Sequence, residues 1–380
     1  MIGARTGAVA VVCASAACTI LTHAEDYALA PPGVDTRLCA ACPQSPGLSH
    51  PPCPASSASP SADPSVRFYA MQTIDFGSHA SEWGTAFFHA GFDMDCSARP
   101  DGTPTSCTPS GPMPPSWVFL PDGTDNAFGV QILASVLTGP THIDVQQSVN
   151  ASITNGEWSW ILAIDHWNGT PNDASVGIRL LQAAGPAAGG AARWDSNEAW
   201  IAYADAWDPA FPMGLLPDTP FKTDDAYVTQ GTLVWDMRAL ALQTLRVRNG
   251  QAVLPLAMEP IGLFGQLSEG SLQQASFGGL LQNEILFFGL LDLASGCDPT
   301  LACRLAGPLA GTVESVLDMV SLTTPGESFC NRISFGAEPY LVRVGGVSRI
   351  APTTTEPASC DVQRQLMCSD AGPDTGARTD

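Results

Sequence analysis

Two short acidic segments carry the side chains of this chain that could bind a metal ion. The first reads Gly-Phe-Asp-Met-Asp-Cys at 91–96, and the second reads Pro-Asp-Gly-Thr-Asp-Asn at 121–126. Carboxylates at alternate positions can turn toward one ion, and calcium takes about six to eight oxygen ligands. The pattern predicts a calcium site formed by Asp93, Asp95, Asp122, Asp125 and Asn126. The alternative is that these residues cap turns, as Asp-Gly and Asp-Asn often do.

The cysteines predict disulfides. Of the 12 cysteines, all except Cys13 and Cys18 follow the N-terminal apolar segment, and an even number is typical of an exported disulfide framework. Three pairs would each close a short loop rich in turn residues. These pairs are Cys96–Cys107, Cys297–Cys303 and Cys360–Cys368. Cys330 is left to join the cysteines at 39–53 or to pair in another arrangement.

The cysteines at 39–53 have a second interpretation. The order Cys39, Cys42, His50, Cys53 resembles a zinc knuckle. The surrounding segment is rich in proline and belongs to a chain with export signals, so disulfides are favoured over zinc.

The sequence carries no specific catalytic signature. It does not decide whether the chain is an enzyme, and it favours a non-enzymatic role. Ser268 lacks the spacing of a nucleophile elbow, and there is no His-Glu-x-x-His, phosphate-binding glycine loop or dinucleotide fingerprint. A glycosidase needs two carboxylates facing one groove, about 5–10 Å apart. Glu157, Asp165 and Asp173 are the candidates for such a pair.

Aromatic residues beside these acids allow a glycan-binding alternative. Trp158 and Trp160 share one strand face and could stack on a sugar, although such residues are more often core. Asp165 precedes His166, but neighbouring residues on a strand point to opposite faces. We therefore expect His166 to be a solvated loop residue.

Residues 1–24 predict a secretory signal peptide. Arg5 precedes an apolar run from Ala8 to Leu21, and small residues end the segment. Cleavage after Ala24 would release a secreted protein. Cleavage before Cys18 would leave a lipidated cysteine, because Ser-Ala-Ala-Cys at 15–18 is an imperfect form of the sequence that bacteria lipidate. Both routes predict an exported protein, either an outer-membrane lipoprotein or a secreted one.

The net charge of −21 argues against nucleic acid and anionic membrane surfaces as partners, since both bind clustered Lys and Arg. After the signal region no apolar run reaches the roughly 18 residues that span a bilayer. We expect membrane contact only through a lipid anchor at Cys18.

Composition divides the rest of the chain into three parts. Residues 25–65 form a Pro-, Ser- and Cys-rich tether without apolar periodicity. Residues 66–368 form one β-rich globular domain, and residues 369–380 form a disordered tail.

Alternating apolar residues predict most of the domain as strands. Asn-Gly pairs at 155–156 and 249–250 predict hairpins, the first between strands at 143–153 and 157–164. Apolar patterns predict two helices, Leu280–Leu293 and Pro308–Val320. The fold class is mainly β, with β-sandwich-like antiparallel sheets and a few helices in the C-terminal half. The other predicted strands are Val66–Phe76, Ser175–Gln182, Trp200–Tyr203, Tyr227–Trp235 and Tyr340–Val347.

Three segments together resemble a family of uncharacterised exported proteins, usually lipoproteins, of myxobacteria-like Gram-negative bacteria. They are the Gly-aromatic-Asp-x-Asp step at Gly91–Asp95, the turn at Pro121–Gly129 and the Cys-x-x-Ile-Ser-aromatic-Gly segment at Cys330–Gly336. The resemblance implies export and an opening strand after a tether, and it brings no enzymatic activity. We therefore expect an exported or envelope-anchored, non-catalytic protein with a binding or structural role, stabilised by calcium. A secreted carbohydrate-active enzyme or a glycan-binding module is the alternative.

Overall fold

Eleven β-strands contain most of the residues that the computed structural model describes. The described residues are 65–77, 90–92, 94, 124–133, 144–203, 222–237, 243–249, 252–283, 286–287, 289–291, 306, 309–310, 313, 316–317 and 329–351. All of them belong to one unit, Arg37–Asp380. The strands are β1 (Val66–Asp75), β2 (Ser159–Asp165), β3 (Asp173–Pro186), β4 (Ala199–Tyr203), β5 (Lys222–Thr229), β6 (Thr232–Asp236), β7 (Gln243–Asn249), β8 (Ala252–Leu267), β9 (Ser271–Gln282), β10 (Arg332–Val344) and β11 (Gly346–Ala351).

Eight of the strands close into a barrel. Around the ring the order is β1, β10, β9, β8, β6, β5, β3 and β2, and β2 pairs with β1 again. Every pairing in the ring is antiparallel. The mainly antiparallel β architecture is confirmed, but the predicted sandwich is wrong.

The strand β3 closes the ring. One of its edges pairs with β2, while on the other edge β5 pairs with Asp173–Arg179 and β4 with Ala183–Pro186. A strand of 14 residues is long enough for both partners. Outside the ring, β11 pairs with β4 in parallel. β7, also outside the ring, pairs with the first half of β8.

The largest hydrophobic cluster fills the barrel. It takes alternate residues of every strand in the ring, such as Trp160, Leu162 and Ile164 of β2. The residues between them point outward and join two smaller clusters. One contains Ile161 under Trp200, and the other contains Phe92 with neighbours from β5, β6, β8 and β9. Strands buried on both faces explain why their sequences read as continuous apolar runs.

The chain before β2 is a helix, α1 (Val145–Thr154), where the sequence analysis predicts a strand. Asp144 caps its first turn by accepting a hydrogen bond from the Gln147 N–H. Gly156, at φ 74°, ends it, because the N–H groups of Gly156 and Glu157 return to the carbonyls of Ile153 and Ser152. Asn-Gly at 155–156 therefore terminates a helix, and the predicted hairpin there is wrong.

Other predicted elements are found with shifted limits. The hairpin at Asn249–Gly250 is confirmed by the antiparallel pairing of β7 with β8. Tyr227–Trp235 is two strands, joined at Gln230 and Gly231, which both have positive φ as a tight hairpin turn requires. The helix predicted from Leu280 starts later, since 280–282 belong to β9 and the described residues from 283 to 291 are helical. A short π-helix, Phe128–Leu133, precedes α1.

Candidate functional site

The described residues of the two acidic segments of the predicted calcium site meet on the outside of the barrel. Phe92 and Asp125 form an isolated antiparallel bridge, in which the Asp125 N–H lies 3.1 Å from the Phe92 carbonyl oxygen. The Met94 N–H donates to Asp125 Oδ2 at 2.6 Å. The return of the chain that the calcium prediction requires is therefore present. Asp93, Asp95 and Asp122 lie outside the described residues.

Asn126 is the hub of this contact, which we call the Asn126 junction: Phe76, Ala90, Asn126, Gly129 and Gly336. The Asn126 amide nitrogen donates to the carbonyls of Phe76 and Ala90 at 2.9 and 3.0 Å. Its Oδ1 accepts from the N–H groups of Gly129 and Gly336, each at 3.0 Å. A primary amide has two donors and two acceptor positions, so this side chain is fully used.

The junction leaves no room for additional side-chain atoms. A Cβ atom on Gly129 would lie 1.7 Å from the Phe76 carbonyl oxygen, and one on Gly336 would lie 2.4 Å from the Ala90 oxygen. Nearby, Ser334 Oγ accepts from the Ala127 N–H at 2.8 Å. Described residues of all three segments quoted for the family resemblance thus meet at one place, and Asn126 and Ser334 there form hydrogen bonds with backbone groups.

The metal prediction stays a prediction. Within the described ranges no group of three or more His, Cys, Asp or Glu side chains is arranged to bind a metal ion. The Asn126 side chain forms its hydrogen bonds with the backbone groups of Phe76, Ala90, Gly129 and Gly336. The cysteine pairs Cys96–Cys107, Cys297–Cys303 and Cys360–Cys368, and also Cys18, fall outside the described residues. Cys330 is buried and disulfide-bonded, and its partner also lies outside them.

The three acids considered for glycoside hydrolysis are separated or committed to structural contacts. Glu157 is exposed just before β2 and accepts from Ser152 Oγ, whereas Asp165 is the last residue of β2. Asp165 is 4% exposed and forms an ion pair with Arg179. Asp173 is fully buried, and its carboxylate accepts from the N–H groups of Asn168 and Ser175. The length of β2 therefore separates Glu157, just before the strand, from Asp165 at its end.

His166 makes a contact that the sequence analysis missed. It is exposed, as expected for a loop residue, but its φ of 59° turns the imidazole back toward the preceding residue. Nδ1 lies 2.9 Å from Asp165 Oδ1. The rule that neighbouring strand residues point to opposite faces does not apply here, because it holds for an extended backbone and β2 ends at Asp165. No feature of the sequence specifies that conformation, although His is one of the residue types that tolerate it.

Gly177 makes space for the Asp165 carboxylate. The two residues are register partners on β2 and β3, and a Cβ atom on Gly177 would lie 1.7 Å from Asp165 Oδ1. The carboxylate can therefore lie flat across the neighbouring strand and reach Arg179. This arrangement is a buried anchor between two barrel strands.

A second set of charged side chains lies at the same end of the barrel. Glu269, in the β8–β9 turn, accepts from Arg67 on β1 and Arg343 on β10. The Arg67 guanidinium also lies 4.8 Å from the centre of the Trp167 ring. Beneath them Tyr69 donates to the Ser268 carbonyl at 2.9 Å, and burial raises its pKa to about 12. The hydroxyl group thus remains a donor at all ordinary pH values.

The barrel contains an apolar cavity. Its volume is about 20 Å³, which is room for about one water molecule. We call this small space the slot. The described lining residues come from β1, β2, β3, β8, β9, β10 and the end of β6: Met71, Trp160, Leu162, Leu180, Met237, Leu263, Phe277, Pro339 and Leu341. Sequence reasoning missed the slot because its walls are distant along the chain.

Trp158 and Trp160 are core residues. They are 2% and 3% exposed, and their ring centres lie 6.1 Å apart in an edge-on arrangement. The core interpretation is therefore confirmed, and the two indoles do not form an exposed sugar platform. Trp160 instead faces the slot.

An acid pair lies directly across β1 and β10. Asp75 and Glu338 are register partners, and both are partly buried. Burial raises the pKa of Glu338 to about 7, and the negative charge of Asp75 adds to the shift. The sequence analysis missed this pair because its two members are 263 positions apart in a register set by the barrel.

The acid pair predicts a pH-dependent stability. A carboxyl group with a raised pKa in the folded state stabilises the fold below its unfolded pKa, and this contribution is lost as pH rises through about 7. We expect Glu338→Gln to stabilise the protein at pH 8, relative to the native chain, by about 1 kcal/mol after allowance for solvent screening. At pH 4.5 the two proteins should be nearly equal. Urea denaturation at the two pH values measures this difference, and a gain that is equal at both would contradict the assignment.

Comparisons with known proteins found no match: no family model, curated protein or solved structure matches the chain. Among the helices in the described part of the chain, none is long and apolar enough to cross a membrane.

Proposed function

We propose that the chain is an exported, non-catalytic binding protein whose site is the apolar slot inside the barrel. The observation that carries the proposal is the slot itself. An eight-stranded barrel encloses a space that side chains can fill or that can hold one small ligand. Here side chains fill most of the interior, and a narrow space remains between Trp160, Met71 and Met237. Methionine walls adapt readily to the shape of a ligand.

A non-catalytic role is supported by the chemistry of the slot. Each of its described lining residues is apolar or aromatic, and no acid, base or nucleophile is among them. The buried acid Asp165 forms an ion pair with an arginine on the neighbouring strand. The buried acid Glu259 forms one with an arginine two strands away. Such pairs orient strands and do not face a substrate.

Export is supported by the N-terminal sequence, the resemblance to an exported family and the disulfide of Cys330. The two processing routes are distinguished by intact-mass analysis of protein purified from a Gram-negative host. A chain that begins at Glu25 is secreted, and a chain that begins at a lipidated Cys18 is anchored in the envelope. A mass that includes Met1 would contradict both routes.

Calcium stabilisation remains part of the proposal, because Phe92 and Asp125 bring the two acidic segments together. Several carboxylates converging without a cation would repel one another, and a bound cation stabilises the folded state by mass action. We expect the melting temperature to rise with added calcium and to fall with a chelator. Asp95→Ala should abolish the response, and a melting curve that is indifferent to both additives would remove calcium from the proposal.

Binding in the slot is tested by NMR of protein labelled with ¹³C at the methionine methyl groups. Titration with xenon, a small apolar probe of protein cavities, should shift the Met71 and Met237 signals saturably, because both residues line the slot. Met258 is an internal control, since it is buried in the same core but does not line the slot. Met→Leu variants assign the three signals. Absence of a saturable shift, or equal shifts at all three methionines, would overturn the proposed function.

A further inference from the structure

Two Asn-Gly pairs lie wholly within the described part of the chain, and their backbones have different surroundings. An asparagine loses its amide most readily before glycine, because glycine has no side chain to hinder attack by its own backbone nitrogen. Asn155–Gly156 directly follows α1, and Asn168–Gly169 lies in the loop between β2 and β3. The sequence alone does not distinguish the two pairs.

The loss of the amide makes two demands on the chain. The glycine nitrogen attacks the asparagine Cγ, so its N–H group must not be held by an acceptor. Negative charge develops on the side-chain oxygen as the nitrogen attacks, so a hydrogen-bond donor fixed at that oxygen assists the reaction. The two pairs can be compared on both points.

The side-chain oxygen of Asn168 has donors beside it. The Thr170 N–H donates to Asn168 Oδ1 at 2.7 Å, which forms an Asx-turn that closes the side chain over the following backbone. Thr170 Oγ1 lies 2.6 Å from the same oxygen and 2.9 Å from the Asn172 carbonyl oxygen, so its single hydrogen serves one of the two at a time. The Asn168 carbonyl is therefore polarised for attack.

The Gly169 nitrogen is available to attack. Among the described residues, none accepts a hydrogen bond from the Gly169 N–H. Gly169 is exposed, so water and hydroxide can reach this group. The next residues of the loop are held in place, since the Gly231 N–H donates to the Pro171 carbonyl at 2.8 Å. The Asx-turn at Asn168 thus belongs to an ordered loop.

The Gly156 nitrogen, in contrast, is already in use. Its N–H donates to the Ile153 carbonyl at 2.9 Å, and Gly156 is buried. A Cβ atom on Gly156 would lie 2.7 Å from the Gly190 carbonyl oxygen, so the backbone is closely packed here. The Asn155 side chain is nevertheless more exposed than that of Asn168. Exposure would therefore favour reaction at Asn155, whereas the backbone contacts favour Asn168.

We propose that Asn168 is a site of spontaneous deamidation in the folded protein and that the fold protects Asn155. The Gly169 nitrogen gives its proton to hydroxide and bonds to Asn168 Cγ. The bond from Cγ to Nδ2 breaks, and the nitrogen leaves as ammonia after taking a proton from water. Water then opens the cyclic imide at either carbonyl, which leaves aspartate or isoaspartate. The new carboxylate lies on a residue whose N–H donates to the buried Asp173.

The test follows both sites in the full-length protein, folded and in urea, at mildly alkaline pH. Peptide mapping by mass spectrometry, with fragmentation to assign the modified residue, measures each rate. In the folded protein Asn168 should react at least about fivefold faster than Asn155, the factor expected for giving up one backbone hydrogen bond. In urea the two rates should become similar. Isoaspartate should accompany aspartate at Asn168, because the imide opens at both carbonyls.

Matched variants give a second readout, the release of ammonia from the folded protein. Asn168→Ser should lower the release, and Asn155→Ser should leave it unchanged. Equal rates at the two sites of the folded protein, or a faster reaction at Asn155, would overturn the proposal. An Asn168 that reacts in urea but stays intact in the folded chain would also overturn it. Aspartate without isoaspartate would refute attack by the Gly169 nitrogen.

Discussion

Asn126→Ala should lower the free energy of unfolding by about 3–5 kcal/mol, more than most single substitutions. The change removes all four hydrogen bonds of the Asn126 amide to the backbone. Each abandoned donor or acceptor is buried in a junction where Asn126 is 1% exposed. Urea denaturation measures the loss, provided that the slope of the transition is unchanged.

Two further variants test whether the lost hydrogen bonds cause the loss of stability. Asn126→Asp keeps acceptors for the Gly129 and Gly336 N–H groups but no longer donates when ionised to the carbonyls of Phe76 and Ala90. Its destabilisation should therefore grow as pH rises, since a protonated carboxyl can still donate once. Asn197→Ala, at an exposed position, should change stability by no more than about 0.5 kcal/mol. A loss below about 1 kcal/mol for Asn126→Ala would mean that the junction does not hold these segments to the barrel.

The sequence singled out the segment that contains Asn126, but it did not show the backbone contacts that Asn126 makes. Asp-Asn after a tight turn suggested oxygen ligands for a cation. The structure shows that Asn126 forms hydrogen bonds with four backbone groups, three of them in distant segments and the fourth at Gly129 nearby. Both uses require the same residue types, because carboxamide and carboxylate oxygens accept equally well from N–H groups and from cations. Only the position of the Gly336 backbone, 210 residues away, distinguishes them.

The prediction of a strand at 143–153 is wrong for a local reason. Its apolar residues Val145, Val149 and Ile153 are four apart, which fits one face of a helix, and all three are buried in α1. The following Asn-Gly pair was given more weight than that spacing. Glycine with positive φ serves a helix C-terminus as well as a hairpin, so the pair by itself does not choose between them.

The closure of the sheet could not be predicted from the sequence. Strands with one face inward have the same alternating pattern in a sandwich and in a barrel. The difference lies in which strands pair at the edges, here β3 with β5 and β1 with β10. The β1–β10 pairing joins residues more than 260 positions apart, and it also creates both the slot and the Asp75–Glu338 pair.

Asp165→Asn should destabilise the protein by about 2–4 kcal/mol, because it leaves the Arg179 guanidinium without its buried counter-charge. Asp165 is 4% exposed, and the Arg179 side chain is 19% exposed. The substitution keeps the shape of the side chain and removes its charge. Glu157→Gln, at an exposed position just before the same strand, is the matched control and should have a much smaller effect.

A double-mutant cycle shows whether the ion pair is the cause. Asp165→Asn with Arg179→Met should be less destabilising than the sum of the two single changes, since neither charge is then buried alone. Gly177→Ala offers an independent route, because its Cβ atom would displace the Asp165 carboxylate without changing any charge. If Asp165 belonged to a catalytic pair, Asp165→Asn would leave stability nearly unchanged and remove an activity. Loss of stability with a positive coupling between the two residues instead identifies Asp165 as the anchor that fixes β2 to β3 where the barrel closes.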